Sequence, residues 1–117
     1  MTDNELIAEF LGWKQVHTET ADYWMRPEGG ATNWDTPQKF QNSWDWLMPV
    51  VEKIDGLGYH VTIMKTRCVI AITLNVQNHI QSIHPGYSMI EVVYCAVVEF
   101  IKWYNEQKFQ EEIKGEL

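Results

Sequence analysis

A chain of 117 residues with 45% hydrophobic and 21% charged residues has ordinary globular composition and the size of one domain, able to bury roughly two thirds of its extended-chain surface. Its formal net charge of -7 repels phosphate backbones and anionic membrane surfaces, so neither general nucleic-acid binding nor membrane association is expected. Four of the acids, Glu106, Glu111, Glu112 and Glu116, lie after residue 105, so the imbalance is partly a property of the tail.

Thr2 followed by Glu5 fits a capping box, and Leu6, Ile7, Phe10 and Leu11 make one apolar face that stops at Gly12. This predicts a short N-terminal helix docked on the body. Partial alternation follows, with Trp13 and Val16, then Tyr23, Trp24 and Met25, around a polar centre from His17 to Asp22. It reads as a ragged hairpin of two short strands. Residues 27–37 hold two prolines and two adjacent glycines and read as a loop, with Trp34 either plugging back into the core or presented to a partner.

The stretch Ser-Trp-Asp-Trp-Leu-Met-Pro-Val-Val-Glu-Lys-Ile from Ser43 reads as the central helix, because Leu47, Val50, Val51 and Ile54 fall at i, i+3, i+4 and i+7. Asn42 with Asp45 three residues later has the capping pattern and places the start there, with Ser43, or a start near Pro37 that puts Phe40 on the inner face, as the alternatives. Pro49 removes one backbone hydrogen bond and is expected to bend the helix around the core. Gly56 and Gly58 end it.

Tyr59, Val61 and Ile63 alternate with His60, Thr62 and Met64, which predicts a strand with one face in the core. Thr66-Arg67 reads as a tight connection to a second strand, Cys68 to Leu74, whose two faces are both largely apolar. A hairpin covered on both faces is expected. Residues 75–87 read as a loop with one short edge strand near Ile80. Ser88 with Glu91 forms another capping box, and Ile90, Val93, Tyr94, Val97, Val98, Ile101 and Tyr104 give an apolar face through about Gln107. From about residue 108 the chain is charged and extends this helix as a tail. The expected architecture is one α+β domain over residues 1–117, a small antiparallel β-sheet layered between helices as an α-β-α sandwich, in the order α-ββ-α-ββ-α.

Little here points to catalysis. His17, His60, His79 and His84 are scattered; His79 and His84 share one loop, which permits joint ligation, but solvated loop histidines are the simpler reading. Cys68 and Cys95 fall among core residues, and no base that would activate either thiol can be placed. Gly29-Gly30 lacks the lysine of a phosphate loop. No cofactor, metal or enzymatic activity is therefore expected. The start of the chain lacks the basic and apolar regions of a signal peptide, and no apolar run approaches the roughly 20 residues that span a bilayer. The cytoplasm is the expected compartment.

Two groups of residues stand out as candidate binding sites. Trp34-Asp35 and Trp44-Asp45-Trp46 set aromatic faces beside carboxylates and a helix start, an arrangement able to stack a flat ligand and hydrogen-bond its edge. The competing structural reading makes Trp44 core, Asp45 a dipole residue and Trp46 a cover for the sheet edge. Trp103, Phe109 and Ile113 lie off or beyond the core stripe of the last helix and form a candidate partner patch, with solvent-exposed fraying as the alternative.

The segments Leu-Ile-Ala-Glu-Phe (Leu6 to Phe10), Ser43 to Ile54, and Ile90 to Lys108, which contains Val-Tyr-Cys-Ala-Val-Val-Glu-Phe-Ile-Lys-Trp-Tyr-Asn, resemble the phage and prophage proteins grouped as the phage ABA sandwich domain. The distinctive part is Trp-Asp-Trp-Leu-Met-Pro-Val-Val. The resemblance implies helical layers on both sides of a sheet and a phage-infected or prophage-carrying bacterial cell. That family is largely uncharacterised, so it supplies no catalytic residue, and neither the Gly29-Gly30 loop nor Cys95 matches a pattern in it. The expected function is that of a non-enzymatic accessory protein binding a host or phage protein, modulating host processes or defence. A homo-oligomer is compatible with this. The alternative is a nucleotide-like ligand bound or sequestered in a tryptophan-lined pocket.

Overall fold

Among the described residues, three helices and five strands are set by local signals that the chain mostly honours. A computed structural model describes residues 2–20, 22–27, 40–72, 79–83 and 86–116, the side chains of 79 and 112–116 excepted. Helix α1 (Asp3–Phe10) starts at the Thr2 box: Thr2 Oγ1 accepts the Glu5 N–H at 3.2 Å and Glu5 Oε1 accepts the Thr2 N–H at 3.3 Å. Gly12, at φ +87°, then turns the chain away, and a Cβ there would already touch Pro27 at 3.4 Å. α1 has no basic residue in its last turn. Lys53, from the next helix, supplies one by donating its Nζ to the Phe10 carbonyl, where a cation complements the helix dipole.

Helix α2 (Trp44–Gly56) buries Leu47, Val50, Val51 and Ile54, as their spacing requires. Its start differs from expectation. Ser43 and not Asn42 is the N-cap, and no side-chain capping bond is made. Only the Ser43 carbonyl acts there, accepting the Trp46 and Leu47 N–H groups at 3.2 and 3.0 Å. At the other end Gly58, at φ +99°, releases the chain toward the sheet. Helix α3 (Met89–Glu116) opens on the Ser88 box, with Ser88 Oγ 3.4 Å from the Glu91 N–H and Glu91 Oε1 3.3 Å from the Ser88 N–H. It runs for 28 residues, so the charged segment after 107 continues the helix.

Strands β1 (Lys14–His17) and β2 (Asp22–Met25) pair antiparallel, with Gln15 opposite Trp24 and Val16 opposite Tyr23. A second antiparallel sheet has the order β3-β4-β5, formed by β3 (His60–Met64), β4 (Arg67–Ala71) and β5 (His79–Ile83). The α+β class stands, in the order α-ββ-α-βββ-α, with the edge strand around Ile80 now counted. The β3–β4 turn falls at Lys65-Thr66, one residue earlier than read, because Met64 pairs with Arg67.

Register explains which residues are buried. Val61 pairs with Ile70, Ile63 with Cys68, and Cys68 with Ser82, so one face of the sheet is continuous and lies on α3. Among the described residues, cover on both faces is not found: His60, Thr62, Met64, Arg67, Gln81 and Ile83 are exposed on the outward face. An antiparallel sheet with one wet face needs no second layer. Helix α3 packs against α1, α2 and all three strands, which places Val93, Val97, Phe100 and Ile101 at the centre of the core. Each such side chain contributes about 1.5–3 kcal/mol on burial. A second aromatic group closes the far end, where Phe10 meets Phe100 and Tyr104 edge-on at 6.2 and 5.8 Å.

Candidate functional site

The tryptophans of the α2 start divide by position on the helix. Trp44 and Met48 lie one turn apart on the outer face and are 37% and 36% exposed. Neither is core. Asp45 beside them is exposed in the first helical turn, where a carboxylate complements the dipole. Trp46 points to the flank and is half-buried.

Trp46 belongs to a shelf assembled from three separate parts of the chain, around residues 13, 26 and 40–46. Its ring lies 5.5 Å from Trp13 and 5.2 Å from Phe40, both in edge-on geometry or near it, and Trp13 is 5.5 Å from Phe40. Phe40 is fully buried and anchors the other two. Over this shelf lies Arg26, its Cζ 5.2 Å from the Trp13 ring centre and 5.5 Å from that of Trp46. A planar guanidinium between two indole faces gains cation–π attraction from both. Its Nε is buried with no hydrogen-bond partner. Leu11, Trp13, Arg26, Asp45, Trp46 and Pro49 together line a cleft of about 240 Å³. This volume is below the roughly 300 Å³ at which pockets for drug-sized ligands begin, so it suits one ring or one side chain.

Sequence reasoning had not identified Arg26, Trp13 or Phe40 as parts of a site. They come together because Trp13 and Arg26, flanking the β1–β2 hairpin, meet Phe40 and Trp46 of the α2 start, which no local spacing encodes. Trp34 and Asp35 lie outside the described residues, as does the Gly29-Gly30 loop. Trp103 is half-buried in the far aromatic group, 5.9 Å from both Tyr59 and Phe100, so its ring is largely used in packing. Phe109 is 63% exposed on the tail of α3. Ile113 is helical, with its side chain outside the described residues.

The titratable groups follow their surroundings. Burial pushes the Cys68 thiol up to about 11. The Cys95 thiol is raised too, by burial first and then by the carboxylates of Glu91, Asp3 and Glu99. At neutral pH both are therefore thiols and not nucleophilic thiolates. Tyr94 is held up to about 12 by burial and the Asp3 and Cys95 charges, and its hydroxyl donates to Asn4 Oδ1 at 2.9 Å. His17 pairs with Asp22 at 3.0 Å across the first hairpin, and His60 Nδ1 lies 4.0 Å from Asp55. His84 and the His79 side chain are outside the described residues. Among the described residues no group of three His, Cys, Asp or Glu is placed to hold a metal ion. None of the described helices is long and apolar enough to cross a membrane.

No family model, no curated protein and no solved structure matches the chain.

Proposed function

We propose that this chain is a non-enzymatic accessory protein of phage type that binds a host or phage protein through the first two turns of α2. The observation that carries the reading is the exposed pair Trp44 and Met48 beside Asp45 and the Arg26–Trp46 rim. Tryptophan, methionine and arginine are the residue types enriched where interface energy concentrates. Two thiols held protonated add support, since neither supplies a nucleophile. The phage assignment rests on the resemblance of the α1, α2 and α3 segments, and with it go the bacterial cytoplasm and a role in modulating host processes or defence.

The test is affinity capture from bacterial lysate with the wild-type chain and with a Trp44→Ala/Met48→Ala double variant. A stoichiometric partner should be recovered by the first and lost by the second, at matched thermal stability. Equal recovery by both, or no partner at several salt concentrations, overturns the reading.

A second reading is favoured by one specific observation, the buried Arg26 Nε with no partner at the wall of an indole-lined cleft. There a nucleobase-sized ring would stack on the Arg26 guanidinium that covers Trp13 and Trp46, with Asp45 accepting from its edge. Intrinsic tryptophan fluorescence titrated with a nucleotide panel should then quench saturably, and Trp46→Phe should reduce the response. A flat response across the panel rules it out.

A further inference from the structure

We propose that the groove between β5 and α3 takes an extended, positively charged segment of a partner protein, which adds to β5 as a fourth strand of the sheet.

Strand β5 is the last in its sheet, and among the described residues its only backbone pairing is with β4. In an antiparallel pair every second residue turns its N–H and C=O away from the neighbour, so β5 presents a row of such groups outward. Edges of this kind are commonly blunted by lysine or proline. The β5 sequence, His-Ile-Gln-Ser-Ile, has neither.

Beside it runs a groove of about 380 Å³. One wall is Gln81, Ser82 and Ile83, and the other is Tyr94, Cys95, Val98, Glu99 and Lys102. Consecutive strand residues point to opposite faces, so a groove lined by three in a row follows the strand edge instead of opening on one face. The α3 wall spans two helical turns, roughly 12 Å, which matches three or four residues of extended chain. Ile83, 47% exposed, offers an apolar contact at the rim. Ser82 is only 5% exposed, and its buried Oγ has no hydrogen-bond partner, a deficit that typically costs about 1–3 kcal/mol.

Charge selects the occupant. Lys102 Nζ lies 3.9 Å from Asp3 Oδ1 and 4.0 Å from Glu99 Oε1, leaving two carboxylates to one ammonium in the groove. The same two carboxylates, with Glu91, help hold the Cys95 thiol protonated, so the field at the groove wall is negative. A second copy of this chain would bring another -7 to the contact, which disfavours β5 pairing with β5. A cationic strand is favoured by that net charge and meets like charge only at Lys102 and at Arg67, whose guanidinium donates to Gln81.

Four capped pentapeptides added to the ¹⁵N-labelled full chain provide the test: Val-Lys-Val-Lys-Val, the same peptide with Glu for each Lys, and two forms of the lysine peptide N-methylated at alternate amides, one in each register. The lysine peptide should shift the amide resonances of Gln81 to Ile83 saturably in the millimolar range and slow exchange of outward β5 amides. The Glu peptide should bind at least tenfold more weakly, and Glu99→Lys, at an exposed position, should weaken the lysine peptide similarly. N-methylation in the register that blocks strand pairing should abolish binding. The proposal is overturned by no shift up to about 10 mM peptide, by shifts confined to α2, or by equal binding of both N-methylated forms. Self-association through β5, seen as concentration-dependent sedimentation that Ile83→Lys removes, would also overturn it.

Discussion

Phe40 and Trp44 sit four residues apart and should respond to truncation in opposite ways. Phe40 is fully buried against Trp13 and Trp46, so Phe40→Ala is expected to cost about 3–5 kcal/mol in urea unfolding. Trp44→Ala removes an exposed ring and should cost less than about 1 kcal/mol while abolishing partner capture. Equal costs would mean that Trp44 is core after all. Cys68 gives a prediction in pH. Its folded pKa of about 11 exceeds the unfolded value of 9.0, so above pH 9 the unfolded chain releases a proton that the folded chain keeps. Stability from this group is complete below pH 9 and is lost as pH rises through about 11. Urea midpoints of wild type should fall more steeply over that window than those of Cys68→Ala. At this scale the sequence was legible where a residue's role follows from its neighbours, as at Leu47 or Ile54. It was opaque at Arg26, whose stacking partners lie 13 residues before it and 20 after it in the numbering. Only tertiary packing brings those rings together.

Among the elements, the helices with capping boxes were the most readable, because a box is a local hydrogen-bond device that needs no tertiary help. Thr2 with Glu5 and Ser88 with Glu91 both close as expected. The α2 start lacks a side-chain cap, and there the reading slipped by one residue, from Asn42 to Ser43. This difference is measurable: Ser88→Ala should cost about 0.5–2 kcal/mol, and Ser43→Ala only a few tenths, by thermal or urea unfolding. Strand β5 was harder to find. Its inward residues are Ile80 and Ser82, and its outward side carries Gln81 and Ile83, so the apolar alternation that marked β3 is broken at two positions. The outward face of the sheet was misjudged for a related reason. Val69 and Ala71 are apolar but lie opposite exposed Thr62 and His60, and a one-strand pattern does not reveal what its partner strand carries.

For the molecule as a whole, the class and the site separate cleanly. Among the described residues, the α+β class with three helices and two small antiparallel sheets follows from periodicity and turns, whereas the arginine-capped shelf and the β5 groove are products of assembly. The α3 tail is the part the core uses least. Phe109, Gln110 and Glu111 are exposed, so a chain ending after Gln107 should keep its fold and lose less than about 1 kcal/mol, read by circular dichroism during urea unfolding. A collapse of the far-ultraviolet signal would refute that division. Rising salt should leave the truncated and intact chains equally folded but weaken any cationic peptide at β5, since exposed charge pairs are screened within about 10 Å at 0.1 M.

The contact between α1 and α3 also says something about how this protein comes into being. Asn4 and Tyr94 are hydrogen-bonded although they are 90 positions apart, and Phe10 waits for Phe100 and Tyr104. A ribosome makes these partners at opposite ends of its work on the domain. The first helix therefore leaves the tunnel before its α3 partners exist; among the described residues, Gln41 and Lys53 from the middle of the chain meet it earlier. Stalled chains of increasing length should remain protease-sensitive until Tyr104 has cleared the exit, then become resistant in one step. Until that step the nascent chain is a client for whatever chaperone or protease reaches it first.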